Sequence, residues 1–96
     1  MELVRKFLDI STANLPEETA LAIDAESFPK KPAMVGEYGW LFSVPEFSEV
    51  YQVLEDQGVK CKIFVALMIY AAQNECDFIL FDRDGLCLDG FPVFDW

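Results

Sequence analysis

Ten consecutive apolar residues, Ile63 to Ala72 (IFVALMIYAA), stand within a chain of 96. The surrounding segment, KCKIFVALMIYAAQNE, is rich in Ala, Leu and Met, which favours a helix over a strand. A helix lying on one face of a sheet needs only one apolar stripe. This one is apolar nearly all round, so both of its sides call for cover. Two covers are open: the segment 46–57 of the same chain, or a second copy in a twofold homodimer. The run is shorter than the roughly 18 residues a membrane span needs, so no membrane association is expected.

The remainder of the chain reads as one folded domain, residues 1–96. Apolar residues make up 53% of it and aromatics 15%, too rich for a disordered acidic tail. The opening MELVRKFLDI has no h-region and no small-residue cleavage site, so a cytoplasmic location is expected.

Strand and helix signals alternate along the chain. KFLDIST reads as a first strand, with Phe7 and Asp9 on one face and Leu8 and Ile10 on the other. NLPEETALAIDAESF reads as a helix capped by Asn14, with Pro16 in its first turn and Glu17 at the capping-box position. Its Leu21, Ala25 and Phe28 are spaced to face the core. PKKPAMVGE reads as a loop. YGWLFSVP is a second strand with Trp40, Phe42 and Val44 on one face, and EFSEVYQVLEDQG a short helix stopped at Gly58. After the apolar helix, DFILFD is a third strand and LCL a fourth. The order β-α-β-α-α-β-β predicts an α+β two-layer sandwich, a mostly antiparallel sheet with helices on one face.

No histidine occurs, and the three cysteines, Cys61, Cys76 and Cys87, form no C-x-x-C pair. Zinc and haem lose their usual ligands, so neither a metal nor a cofactor is expected, and the thiols read as free and mostly buried. The commonest general base is also missing, which excludes every His-based triad. Ser11 and Thr12 close the first strand, but the nearest lysine, Lys6, falls on the opposite strand face from Ser11. They read as turn caps.

Seventeen acidic residues face seven basic ones, a net charge of −10. That excess disfavours direct contact with nucleic acid or anionic membrane, and suits solubility or docking on a basic partner. The aromatic set Tyr38, Trp40, Phe42, Phe78, Phe81, Phe91, Phe94 and Trp96 could stack bases, but such platforms sit in basic surroundings. Here it reads as sheet core.

The stretch FILFDRDGLCLDG, residues 78–90, carries the sharpest local signal. Asp84-Gly85 is a pair favoured in tight hairpins. The expectation is an antiparallel hairpin of Phe78–Asp82 with the strand after Gly85, in which Asp82 and Asp84 bond nearby backbone N–H groups. The same string resembles the first motif of haloacid-dehalogenase-type phosphatases. That resemblance implies an aspartate-based, metal-dependent phosphohydrolase, with Asp82 attacking phosphate and Asp84 handling a proton. Position argues against it. In that family the Asp-x-Asp strand comes first, and a Rossmann-like domain follows with a Ser/Thr, a Lys and a further acidic pair. Here the eleven residues after Gly85 include no Lys, Ser or Thr. No enzymatic activity and no catalytic residue are expected.

LDISTANL, EYGWLFSVPE, ECDFILFDRDG and the terminal FPVFDW, in that order, resemble a second pattern. It is that of an uncharacterised family of small proteins carried by bacterial phages, plasmids and genomic islands. The family pattern runs I-S-T-A-H, then Y-G-W with a Val-Pro, then Gly-Cys-Asp-Tyr and F-D-R-D-G, and closes on Tyr-Asp-Trp. Asn14 stands where that pattern has His. The resemblance implies a mobile-element setting and no established activity.

Acidic residues cluster on segments that read as surface: Glu46, Glu49, Glu55 and Asp56 in the middle, then Asp84, Asp89 and Asp95 near the end. Carboxylates can copy the spacing of DNA phosphates and occupy cationic channels. The same residues also suit a solvated acidic face with no partner. The expected function is a small acidic interaction protein that binds a basic protein or nucleoprotein complex. Its most concrete form is a DNA-mimic inhibitor of anti-CRISPR or anti-restriction type. A toxin–antitoxin or accessory binding protein is the alternative.

Overall fold

A computed structural model describes residues 4–96; the first three residues, part of the segment read for a leader, lie outside it. The chain runs β1 (Phe7–Ser11), a 3-10 turn (Thr12–Asn14), α1 (Glu17–Asp24), β2 (Met34–Gly36), β3 (Gly39–Ser43), α2 (Val50–Gln57), α3 (Lys62–Gln73) and β4 (Phe78–Asp82). The strands form one sheet in the order β1-β4-β3-β2. β4 lies inside it, parallel to β1 and antiparallel to β3, while β2 and β3 form an antiparallel pair. The α+β class is as expected, with antiparallel pairing in the majority.

The register sorts the strand residues into two faces. Leu8 lies opposite Ile79 and Ile10 opposite Phe81, while Trp40 and Phe42 lie opposite Phe81 and Ile79. Ile10, Ile79, Phe81, Trp40 and Phe42 are buried and join the core with Phe64, Leu67, Met68, Ala71 and Ala72 of α3. These helical positions repeat at three- and four-residue spacing, so one stripe of α3 meets the sheet. Phe64 is the centre of this contact. Its ring lies 4.8 Å from Phe28, 5.1 Å from Phe42 and 6.1 Å from Phe81, the first two edge-on. The other sides of α3 are covered in part from within the chain. α2 packs against α3, and Phe91 of the tail meets Tyr70 edge-on at 5.5 Å. Val65, Ala66 and Ile69 stay half-buried.

Several local expectations are corrected. The fourth strand after Gly85 does not form, and the hairpin with it. Both edges of β4 are taken by five-residue ladders to β1 and β3. A three-residue LCL segment cannot displace either. It crosses instead to β1, where the Ser11 N–H donates to the Leu86 carbonyl at 3.0 Å. Gly85 has no positive φ. It is needed for close approach, since a Cβ there would sit 2.9 Å from the Ile10 carbonyl carbon and oxygen. The predicted loop PKKPAMVGE contributes β2, because Met34 and Val35 find a partner in β3.

α1 starts at Glu17 behind Pro16, with no side-chain cap. Asn14 is fully buried and serves the tail. Its Nδ2 donates to the carbonyls of Pro92 (3.0 Å) and Leu88 (3.5 Å), and its Oδ1 accepts from the Leu88 N–H at 2.8 Å. The buried residues of α1 are Thr19, Ala20 and Ile23, while Leu21 and Ala25 are exposed. Of the three residues expected to face the core only Phe28 is buried, because the helix stops at Asp24 and Glu26 turns the chain with φ 59°, so the helical spacing does not extend to Phe28. Among the thiols, Cys76 is buried, Cys61 half-buried and Cys87 exposed.

Candidate functional site

All seven acidic residues singled out from the sequence are exposed. Glu46 and Glu49 lie in the turn before α2, closed by Glu49 N–H to the Glu46 carbonyl, and Glu55 and Asp56 lie in its last turn. Asp56 accepts from the Gln52 side chain at 2.8 Å. Asp84, Asp89 and Asp95 follow β4 along its exit and the tail. Because β3 runs antiparallel to β4, with Ser43 opposite Phe78, the chain leaves toward Glu46 at the end of the sheet remote from Asp84. The fold thus separates the acids into two groups rather than one row. Across the described residues no carboxylate is buried. The ion pairs formed there, Arg5–Asp77 and Arg83–Asp24, are both long at 3.9 Å and exposed. Such pairs neutralise little of the surface charge.

Asp82 stands at the C-terminal end of β4. Its Oδ1 accepts from the Asp84 N–H at 2.9 Å, and its carbonyl accepts from Gly85 N–H at 3.0 Å. Asp82 thus makes the expected Asp-to-backbone bond, in a turn that leads to β1 and not into a hairpin, while Asp84 contributes its N–H and not its carboxylate. The parallel pairing sets Ser11 directly opposite Asp82, so a hydroxyl and a carboxylate share one end of the sheet. Ser11 and Thr12 are both buried, and the Ser11 Oγ accepts from Ala13 N–H at 3.0 Å, as a turn cap does. No described group of three or more His, Cys, Asp or Glu side chains is placed to hold a metal ion. Nor is any described helix long and apolar enough to cross a membrane.

The sheet face turned away from the helices is a feature that reading the charges alone misses. The register places Phe7 beside Phe78, then Asp9, Leu80, Leu41 and Met34 in the next row, then Ser11, Asp82, Gly39 and Gly36. A one-sided sheet normally presents polar residues to water. Here Phe7 is 52% and Met34 66% exposed, while Leu41, Phe78 and Leu80 are half-buried. With Tyr38 they line an open groove of about 480 Å³, and no helical residue contributes to it. The signal was present in the sequence as strands apolar at consecutive positions, FILF above all. The aromatic set read as core is accordingly divided: Trp40, Phe42 and Phe81 are buried, whereas Phe78 and Tyr38 belong to the open face.

No curated protein and no solved structure matches the chain. Residues 7–96, from the first residue of β1 to the end, match the C-terminal domain of a family of unknown function, DUF5983, and the chain belongs to that family.

Proposed function

We propose that this protein is a small acidic interaction protein, carried by a mobile element, that occupies a basic surface of a nucleic-acid-handling machine. It acts by binding rather than by catalysis. The most concrete form is an inhibitor that presents carboxylates where the machine expects phosphates, of anti-CRISPR or anti-restriction type. The observation that supports the reading is the exposure of an unneutralised excess: a net charge of −10 with no described carboxylate buried. Contacts of this kind are Coulombic and are screened beyond roughly 8–10 Å at physiological salt.

The test is competition. A partner is captured from bacterial lysate at low salt, and the release of labelled DNA from it is followed by fluorescence anisotropy. The wild type should displace DNA, with an affinity that falls steeply as salt rises. The variant with Glu46, Glu49, Glu55 and Asp56 changed to Lys should fold, since surface changes cost within about 0.5 kcal/mol each, yet fail to compete. Equal competition by both, or indifference to salt, removes the DNA-mimic reading.

A phosphohydrolase is the second reading, favoured by one observation: Asp82 at the C-terminal end of β4, beside Ser11 of the parallel β1. Purified protein with magnesium is expected to show no phosphatase turnover that Asp82→Asn removes. Turnover abolished by that single change would establish the second reading over the first.

A further inference from the structure

We infer that the uncovered sheet face is the docking surface for an amphipathic segment of a partner protein, with apolar side chains at its centre and Lys or Arg at its flanks. The basic half of that description rests on the basic partner proposed above; the apolar half rests on the face alone.

An apolar sheet face left open on a small domain is unusual, and contiguous exposed patches of this kind mark interaction sites. The centre is Leu41, Leu80, Phe78, Phe7 and Met34, on three adjoining strands and the edge strand β2. The groove they form has a volume of about 480 Å³. Its charged rim has one sign. Glu37 and Asp82 line the groove, no basic residue does, and Asp9 stands on the same face beside Leu80. The cations nearest in sequence are engaged elsewhere: Lys6 Nζ donates to the Asn74 carbonyl at 2.8 Å, Arg5 lies 3.9 Å from Asp77, and Arg83 reaches toward Asp24, at 3.9 Å, in a cleft it shares with Trp40. Trp40 belongs to the helix side of the sheet, so Arg83 does not offset the rim.

This pattern separates the occupants. A second copy would bring the same apolar centre, but also the same acids and no base, on a chain that again carries −10. Like charges set against each other oppose that association. A basic amphipathic segment satisfies both parts: its apolar side chains fill the groove, and its cations meet Asp9, Glu37 and Asp82. This arrangement is the familiar one of apolar anchors ringed by polar contacts.

The experiment uses the intact chain, isotope-labelled for amide NMR, and three synthetic peptides. One alternates Leu and Lys at helical spacing, one replaces each Lys by Glu, and one is oligolysine of equal charge. The Leu/Lys peptide is expected to shift the amides of β1, β3 and β4 around Leu41 and Leu80. The Leu/Glu peptide should shift none of them. Oligolysine should move only amides near exposed acids, and lose its effect in salt. Leu80→Lys should weaken Leu/Lys binding at least tenfold. Met34→Lys, on the exposed edge strand, should weaken it as well, and guards against a Leu80 variant that does not fold. The inference is overturned if the Leu/Lys peptide does not bind or shifts only residues elsewhere. It is equally overturned if the Leu/Glu peptide binds as tightly, or if the free protein is a dimer that Met34→Lys dissociates. Loss of DNA competition with peptide binding intact would remove the DNA-mimic reading and leave the docking face; the reverse result would remove only the face.

Discussion

Replacing Asn14 by alanine tests how the C-terminal tail is held. Residues 86–96 contain no helix or strand, yet they pack along the 3-10 turn. Asn14 provides two well-formed bonds there, at 2.8 Å from Leu88 N–H and 3.0 Å to the Pro92 carbonyl. Its third contact, at 3.5 Å, is at the limit and adds little. Net values of about 0.5–1.5 kcal/mol per bond give a loss of about 1–3 kcal/mol. The loss stays in that range because Leu88 is half-buried and Pro92 exposed, so water can reach the orphaned groups once the tail shifts. In a domain of this size about 1 kcal/mol lowers the thermal midpoint by 4–8 °C. Thermal unfolding measures the total, and amide exchange at Leu88 localises it. The Leu88 N–H should exchange much faster in the variant, while amides of β4 change only with global stability. Two other contacts limit the damage: Phe94 N–H to the Ala13 carbonyl (2.8 Å) and Trp96 Nε1–H to the Leu15 carbonyl (2.9 Å). Asn14→His should lose less than Asn14→Ala, because a neutral imidazole keeps one donor and one acceptor. An Asn14→Ala protein with unchanged midpoint and a protected Leu88 amide would refute the clamp.

Gly85→Ala should destabilise by about 1–3 kcal/mol through overpacking, since its Cβ would meet the Ile10 carbonyl, in backbone that cannot yield like a side chain; a midpoint within error of wild type would show that the β1 contact is loose. Lys30 is 5% exposed, and burial lowers its pKa from the ordinary 10.5. Below the lowered value the ammonium is charged in both states, and the full cost of burying it is present. As pH rises from the folded value towards 10.5 the unfolded chain holds more protons, so stability increases. Lys30→Met should therefore stabilise at neutral pH, and the gain should shrink as pH rises through the lowered value towards 10.5 and level off above it. Chemical denaturation of both proteins across that range checks the sign, and a constant difference would be inconsistent with it.

The elements that depend on local pattern were legible in the sequence. Alternation in FLDIS and GWLFS, the unbroken FILF, the stop at Gly58 and the apolar run of α3 each depend on residues close together along the chain. Net charge and its exposure were legible for the same reason, since a carboxylate without a partner stays in water. Partner choice was not. The Asp84-Gly85 pair proposes a hairpin, and nothing local tells that β1, some seventy residues earlier in the chain, and β3 will hold both edges of β4. The role of Asn14 was hidden likewise, because the groups it satisfies lie 74 and 78 positions away. Which side of the sheet the helices cover is also a property of the assembled chain. β4 is apolar on both faces, so the sequence allows cover on either, or on both. Only the packing of α3 on Ile79 and Phe81 commits one face to the core, and leaves Phe78 and Leu80 to the solvent side.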